Sequence, residues 1–277
     1  MRTPKPVLAV LSATLTACAG GGAGVPSLVY AVPSPSDLTY AVADTVTIAL
    51  QGIGQGMELS ARSAATYSVH YDRSPSGMRV TATIDALAAS VVMPMASPMT
   101  MDEGGLAGDF VFDLDVRGRV GSMSSPQATQ LGAQVFAAPV VAHTLFPRLP
   151  GRVARAGDSW VDSVTYLEDG EAGVTQVQSA LTYTLTGESQ VDGRTLLEIT
   201  FAGTAEVRQD LSLEGARINQ NSQVEVEGRF HWDARAGVLV DSEMSMSGPG
   251  SVRVALLPGA ELPTRVRWLT RVRLLER

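Results

Sequence analysis

From about residue 38 onward, apolar and polar positions alternate with a period of two, the pattern of strands that bury one face and wet the other. In 224–232, Val224, Val226, Phe230 and Trp232 fall on one side, and Glu225, Glu227, Arg229 and His231 on the other. Leu181, Tyr183 and Leu185 oppose Ala180, Thr182 and Thr184, while Leu197, Ile199 and Phe201 oppose Glu198 and Thr200. Near the C-terminus Val266, Trp268, Val272 and Leu274 face away from Arg265, Arg267, Arg271 and Arg273. One dry and one wet face per strand predicts antiparallel pairing, and a dozen or so such strands curl rather than stay flat. The expected fold is all-β: a large curved antiparallel sheet, either an open barrel or a sandwich.

Phrases of this pattern occur twice, in one order. Ala43-Asp44-Thr45-Val46-Thr47-Ile48 answers Val161-Asp162-Ser163-Val164-Thr165-Tyr166, and Thr66-Tyr67-Ser68-Val69 answers Thr182-Tyr183-Thr184-Leu185. Gly108-Asp109-Phe110-Val111-Phe112-Asp113 answers Gly228-Arg229-Phe230-His231-Trp232-Asp233, and Gly118 answers Gly237; the offsets are 118, 116, 120 and 119. Two tandem repeats are therefore expected, 38–125 and 151–277. Asp113 to Gly118 and Asp233 to Gly237 read as hairpin turns, an acidic turn former followed by a glycine suited to positive φ. The stretch 126–150 lacks alternation and predicts a helical or irregular bridge, broken at Pro139 and ending near Phe146-Pro147.

The 277 residues include 45% apolar and 18% charged positions, too hydrophobic for disorder, and no apolar run reaches the length of a spanning helix. The net charge of −7, or −9 once Arg2 and Lys5 are lost with a leader, disfavours nucleic acid as a partner. A single cysteine excludes an internal disulfide and a cysteine-based zinc site. Arg2 and Lys5 form a basic start, Val7 to Leu15 is mostly apolar, and Leu15-Thr16-Ala17-Cys18 resembles the lipobox of bacterial lipoproteins. That resemblance implies a signal peptide over 1–17, lipid on Cys18 and attachment to an envelope membrane. Ala19, where that family places Asp to retain proteins at the inner membrane, implies the outer membrane with the body facing the periplasm. An ordinary secretory leader cut past Ala17 fits the same residues. From Cys18 to Asp37, Gly20-Gly21-Gly22 with Pro26, Pro33 and Pro35 reads as a flexible tether.

No constellation of catalytic residues emerges, and the expectation is a protein that is not an enzyme and carries no metal or cofactor. His70, His143 and His231 stand alone in sequence, without HExxH or HxH spacing. Gly157-Asp158-Ser159-Trp160 resembles the block that opens the GDSL hydrolases, but Trp160 replaces leucine and no Asp-x-x-His follows, so Ser159 lacks a base. Asp113-Leu114-Asp115-Val116-Arg117-Gly118 begins like a calcium loop, yet Arg117 stands where an oxygen ligand is needed.

Two features suggest binding instead. Met93, Met95, Met99 and Met101 cluster around Pro94 and Pro98, a composition suited to an adaptable apolar ligand mouth, to copper(I), or to packing beneath a loop. Arg265, Arg267, Arg271 and Arg273 form a basic face for lipid phosphates or an acidic partner, or else pair with Glu225, Glu227 and other wet-face acids.

A curled sheet with a helical segment across it resembles the open-barrel lipoproteins and lipoprotein carriers of bacterial envelopes, which hold acyl chains between sheet and helix. It also resembles uncharacterised envelope lipoproteins built from strand and Asp-turn-Gly hairpins. Two functions follow as expectations: an envelope lipoprotein binding a lipid-like or apolar ligand in its sheet, or a structural adaptor docking an envelope protein through a sheet edge or the arginine face.

Overall fold

The computed structural model describes residues 27–51, 57–75, 77–92, 97–128, 136–170, 173–213, 216–254 and 261–276. The alternation becomes strands, many of them long. The short strands are β1 (Ser27–Leu28), β5 (Met99–Asp102), β6 (Leu106–Ala107), β7 (Phe110–Leu114), β8 (Val120–Ser124), β9 (Gln127–Ala128) and β10 (Arg152–Val153). The others are β2 (Asp37–Leu50), β3 (Met57–Ser74), β4 (Gly77–Val92), β11 (Ser159–Gly170), β12 (Gly173–Val191), β13 (Arg194–Leu213), β14 (Ala216–Asp233), β15 (Val238–Val254) and β16 (Glu261–Glu276). One α-helix, α1 (Ala138–Leu145), lies between the halves.

A single antiparallel path of hydrogen-bonded neighbours runs β11-β12-β13-β14-β15-β16-β2-β3-β4-β7-β8, with β5 attached to β4. It curls round until its two edge strands, β11 and β8, come within side-chain reach of each other. Two five-stranded meanders, β2-β3-β4-β7-β8 and β11-β12-β13-β14-β15, follow one another in sequence, and β16 joins the end of the second to the start of the first. The repeated phrases occupy matching strands: Asp44 on β2 and Asp162 on β11, Tyr67 on β3 and Tyr183 on β12, Phe112 on β7 and Phe230 on β14. Strand and face are kept, but register is not. Tyr67 pairs with Tyr40, four positions before Asp44, whereas Tyr183 pairs with Trp160, two before Asp162.

Three boundaries differ from the sequence reading. The β7–β8 turn is formed by Asp115, not Asp113: its carboxylate accepts from the backbone N–H of Arg117 and Arg119, as Asp233 accepts from Arg235 and Ala236 in the other hairpin. Asp113 stays in the strand, on the wet face, bonded to Arg79 and Ser122. Pro139 opens α1 rather than breaking it, because proline at a first helical turn forfeits an N–H that has no acceptor there. The stretch read as a tether to Asp37 is packed from residue 27 onward, since Leu28 and Tyr30 are buried and β1 pairs with β10.

Gly118 shows how tightly that N-terminal segment is held. Its φ of 76° is the left-handed conformation, and a Cβ there would stand 2.4 Å from the Tyr30 ring.

The core lies inside the curl. Phe110, Phe112, Phe146, Phe230, Trp232, Leu149 and Ile199 are fully buried, and each such side chain contributes about 1.5–3 kcal/mol by leaving water. The segment running from α1 to Leu149 packs among them, with α1 touching β8, β11, β12 and β16. Farther along the strands the inner row shrinks to Ser63, Ala65, Ser179, Ala205, Ser222 and Thr264, and these too are buried.

Candidate functional site

The concave side of the sheet is occupied by the protein's own side chains. Tyr30 meets Trp232 edge-on at 4.8 Å and donates its hydroxyl to Pro147 O at 2.9 Å. Phe146 packs edge-on against Phe112 at 5.2 Å, and Trp160 stacks on Tyr183 at 5.6 Å while donating its indole N–H to Arg148 O at 3.2 Å. Among the described residues a cavity of about 20 Å³ lies between them, lined by His143, Tyr183, Phe201, Ser242, Met244 and Thr270 among others. That is room for one water molecule, not for an acyl chain.

Several polar groups lie within this core. Arg148 is 4% exposed; one guanidinium nitrogen donates to the Tyr166 hydroxyl, and the guanidinium carbon sits 5.5 Å from the Tyr166 ring centroid. Its Nη1, like Nε2 of His143, is buried and meets no partner among the described residues. Burial, helped by the Arg148 charge, lowers the His143 pKa to about 4. Asp44 points inward from β2 and accepts from Trp268 Nε1 at 3.0 Å and Thr270 Oγ1 at 2.5 Å, both from β16. Burial raises its carboxyl pKa, partly offset by the bonds from Thr270, Trp268 and Ser63.

Asp162 points inward from β11, but its partners are ionic. Arg119 reaches it with two nitrogens, at 2.6 and 3.3 Å, and Arg117 approaches to 3.7 Å. Six residues on, Glu168 accepts from Ser125 Oγ and, at 3.0 Å, from the backbone N–H of Ala138 at the start of α1. Both Arg119–Asp162 and Ser125–Glu168 span 43 residues, so the two chain segments run in the same direction, side by side. They are the two edges of the sheet. An odd number of antiparallel strands leaves its first and last strands parallel, and here, among the described residues, no backbone ladder joins β8 to β11. Side chains close the seam.

The wet face carries open grooves instead. Ala41, Ala43, Ala64, Thr66, Ala86 and Ala88 floor one of about 580 Å³, with Arg271 and Arg273 on one flank. It adjoins another, of about 890 Å³, bordered by Thr100 and Met101. Thus Met101 and two of the C-terminal arginines, unconnected in sequence, flank one alanine-floored surface. Met99 is exposed nearby on β5, and Met93 and Met95 lie outside the described residues, as does Cys18.

Arg265, Arg267, Arg271 and Arg273 share the wet face of β16, as read from sequence. Of the wet-face acids read as partners, Glu225 and Glu227 stand on β14, with β15 intervening, and other acids take their place. Arg271 pairs with Glu243 on β15 at 3.1 Å, and Arg273 approaches Asp192 at 3.9 Å. His231 lies between Asp241 at 2.7 Å and Glu198 at 3.5 Å, and His70 between Asp37 at 2.7 Å and Asp72 at 3.4 Å. Ser159 shares a hydrogen bond with Thr184 on the neighbouring strand. Among the described residues no group of three or more His, Cys, Asp or Glu side chains is placed to hold a metal ion, and no helix is long and apolar enough to cross a membrane.

The residues that sequence reasoning missed are the inward acids. Asp44 follows Tyr40 and Val42 in the buried phase of β2, and Asp162 follows Trp160 in that of β11. An acid in the dry phase of a strand was the available signal.

No known protein family matches the chain, and no curated protein does. Among solved structures, DynF from the dynemicin biosynthesis pathway of Micromonospora chersina aligns over 90% of this chain and 85% of its own, at 10% identity and a TM-score of 0.24. The β domain of the Bordetella autotransporter BrkA aligns over 87% and 100%, at 9% identity and 0.23. A BenF-like porin from Pseudomonas fluorescens Pf-5 aligns over 86% and 99%, at 6% identity and 0.22. Scores this low do not establish a shared fold.

Proposed function

We propose that this protein is a non-catalytic envelope lipoprotein, held on a membrane by lipid at Cys18, whose barrel docks another envelope protein at its surface. The observation that carries the docking reading is the filled interior: α1, Phe146 and Trp232 are packed inside it, beside a cavity of about 20 Å³, and the larger open grooves lie on the outside. The leader, the Leu15-Thr16-Ala17-Cys18 sequence and the residue at Ala19 support anchoring, with the outer membrane as the destination. Fractionation of envelopes tests the anchor. The wild-type chain should pellet with membranes and leave them only in detergent, while Cys18→Ser should be released without it. Docking is tested with a photoactivatable residue at position 161 or 167, where Val161 and Leu167 are 65% and 58% exposed on β11. One discrete cross-linked species from living cells supports docking; none from either position, nor from positions 267 and 271, contradicts it.

A second reading rests on the alanine-floored grooves, where Met101 and the Arg271–Glu243 pair flank a surface suited to an apolar chain. On this reading the ligand is lipid-like and lies outside the barrel. Native mass spectrometry of detergent-free protein should then show a co-purified lipid that Ala64→Glu expels.

A further inference from the structure

The two meanders are not equally complete. At the outer side of β2 stands β16, antiparallel to β2 and to β15, so that β15 and β2 run parallel with one strand between them. At the matching side of β11 no strand stands among the described residues: β8, the counterpart of β15, runs parallel to β11, and the described contacts that bridge them are made by side chains. The two inward acids show the difference. Asp44 receives neutral donors from its neighbouring strand, Trp268 and Thr270 on β16, whereas Asp162 is met by arginines reaching over from the β7–β8 turn. A strand placed between β8 and β11 would be antiparallel to both, pairing with β8 over Val120–Ser124, and would give an even-stranded barrel.

We propose that the seam between β8 and β11 is a strand slot, filled by an extended segment of another protein running antiparallel to both edges. Resting on the docking reading, this assigns both the place and the chemistry of the partner. The inward row of β11 along the slot is Trp160, Asp162, Val164, Tyr166 and Glu168. The segment that fits therefore has the character of β16: apolar residues at alternate positions, interrupted by a hydroxyl or N–H donor that replaces Arg119 on Asp162. Outward, it lies beside Val161 and Leu167, which are exposed for edge-strand residues. Entry requires Arg119 and Ser125 to release Asp162 and Glu168. Both contacts are part-buried side-chain contacts within the seam, Glu168 keeps its bond from the Ala138 backbone N–H, and neither release breaks a backbone ladder.

The test uses the full chain with Cys18→Ser and, as ligand, a fluorescent peptide with the sequence of residues 261–276, read by anisotropy. Saturable one-to-one binding is expected. Methylating alternate backbone nitrogens on the peptide should weaken it at least tenfold, because an inserted strand needs its N–H groups for two ladders. Replacing the peptide's counterpart of Thr270 by valine should weaken it several-fold. The offset of 43 residues sets Ser124 opposite Leu167, so a disulfide in Ser124→Cys, Leu167→Cys should close the slot, and reductant should reopen it. No binding, or binding indifferent to backbone methylation, overturns the proposal, and the peptide arm decides this even where the disulfide variant does not fold. Dimerisation of the chain that the disulfide abolishes assigns the slot to a second copy and equally overturns it. In cells, a cross-link at position 161 that survives the disulfide removes the slot but leaves surface docking intact, whereas loss of all cross-links in the unlocked chain removes docking itself.

Discussion

Arg119 and His143 make opposite demands on stability, and both follow from the burial of single groups. Asp162 is held in the seam at 1% side-chain exposure and owes its compensation to Arg119 and Arg117. Arg119 is itself 47% exposed, so solvent screens the pair and the loss on breaking it stays below that of a fully buried one. Arg119→Met should cost about 1–3 kcal/mol in urea unfolding, while Arg267→Met on the wet face of β16 should stay within about 0.5 kcal/mol. His143 has a folded pKa of about 4 against the usual 6.5. The unfolded chain therefore binds the proton first as pH falls, and stability is lost progressively between pH 6.5 and 4. The full shift corresponds to about 3 kcal/mol, and partial exposure of the residue reduces it to about 1–3 kcal/mol. Urea midpoints of wild type and His143→Gln, compared at pH 7 and pH 4.5, check this: the variant should lose less on acidification. Asp44 works in the other direction, its raised pKa relieving a penalty as pH falls, so the acid loss measured in wild type is a net value.

At the level of the elements, the strands were legible and their partners were not. Period-two alternation reports whether a residue faces core or water, and Val224, Val226, Phe230 and Trp232 are buried as their spacing requires. The same alternation carries no information on which strand lies beside which. It therefore could not single out Glu243 on β15 among the wet-face acids as the partner of Arg271, and left the seam unseen. The turns were legible to within two residues, because Asp113 and Asp115 are equally plausible turn formers until a bulge between Asp113 and Leu114 shows where the pairing shifts. Leu28 and Tyr30 were hidden for another reason: two apolar residues amid prolines and serines make no periodic pattern. Close backbone approach was also invisible. A Cβ on Gly203 would lie 2.1 Å from Ala180 O on the adjacent strand. Gly203→Ala should therefore push β12 and β13 apart locally and cost about 2 kcal/mol or more, read as a lowered melting temperature with slowed refolding. Phe146→Ala, which empties a fully buried site against Phe112, should cost about 3–5 kcal/mol.

For the whole molecule, the fold class and the doubled meander were readable from sequence, and the filling of the barrel was not. A curved sheet with a dry inner face fits a ligand carrier and a packed core equally well. The difference depends on where the bridge between the halves goes. Here α1 and the segment through Leu149 enter the concavity and meet Tyr30 from the N-terminal side, so the space an acyl chain would need holds Phe146, Leu145 and Trp232. This packing directs binding outward, to the seam and the alanine-floored face. The central claim, a barrel filled by its own chain, is tested most directly by titrating a brominated fatty acid into the Trp268→Phe protein, whose remaining tryptophans, Trp160 and Trp232, lie in the interior. The filled barrel predicts no saturable quenching of their fluorescence; quenching that saturates at one fatty acid per chain would contradict it.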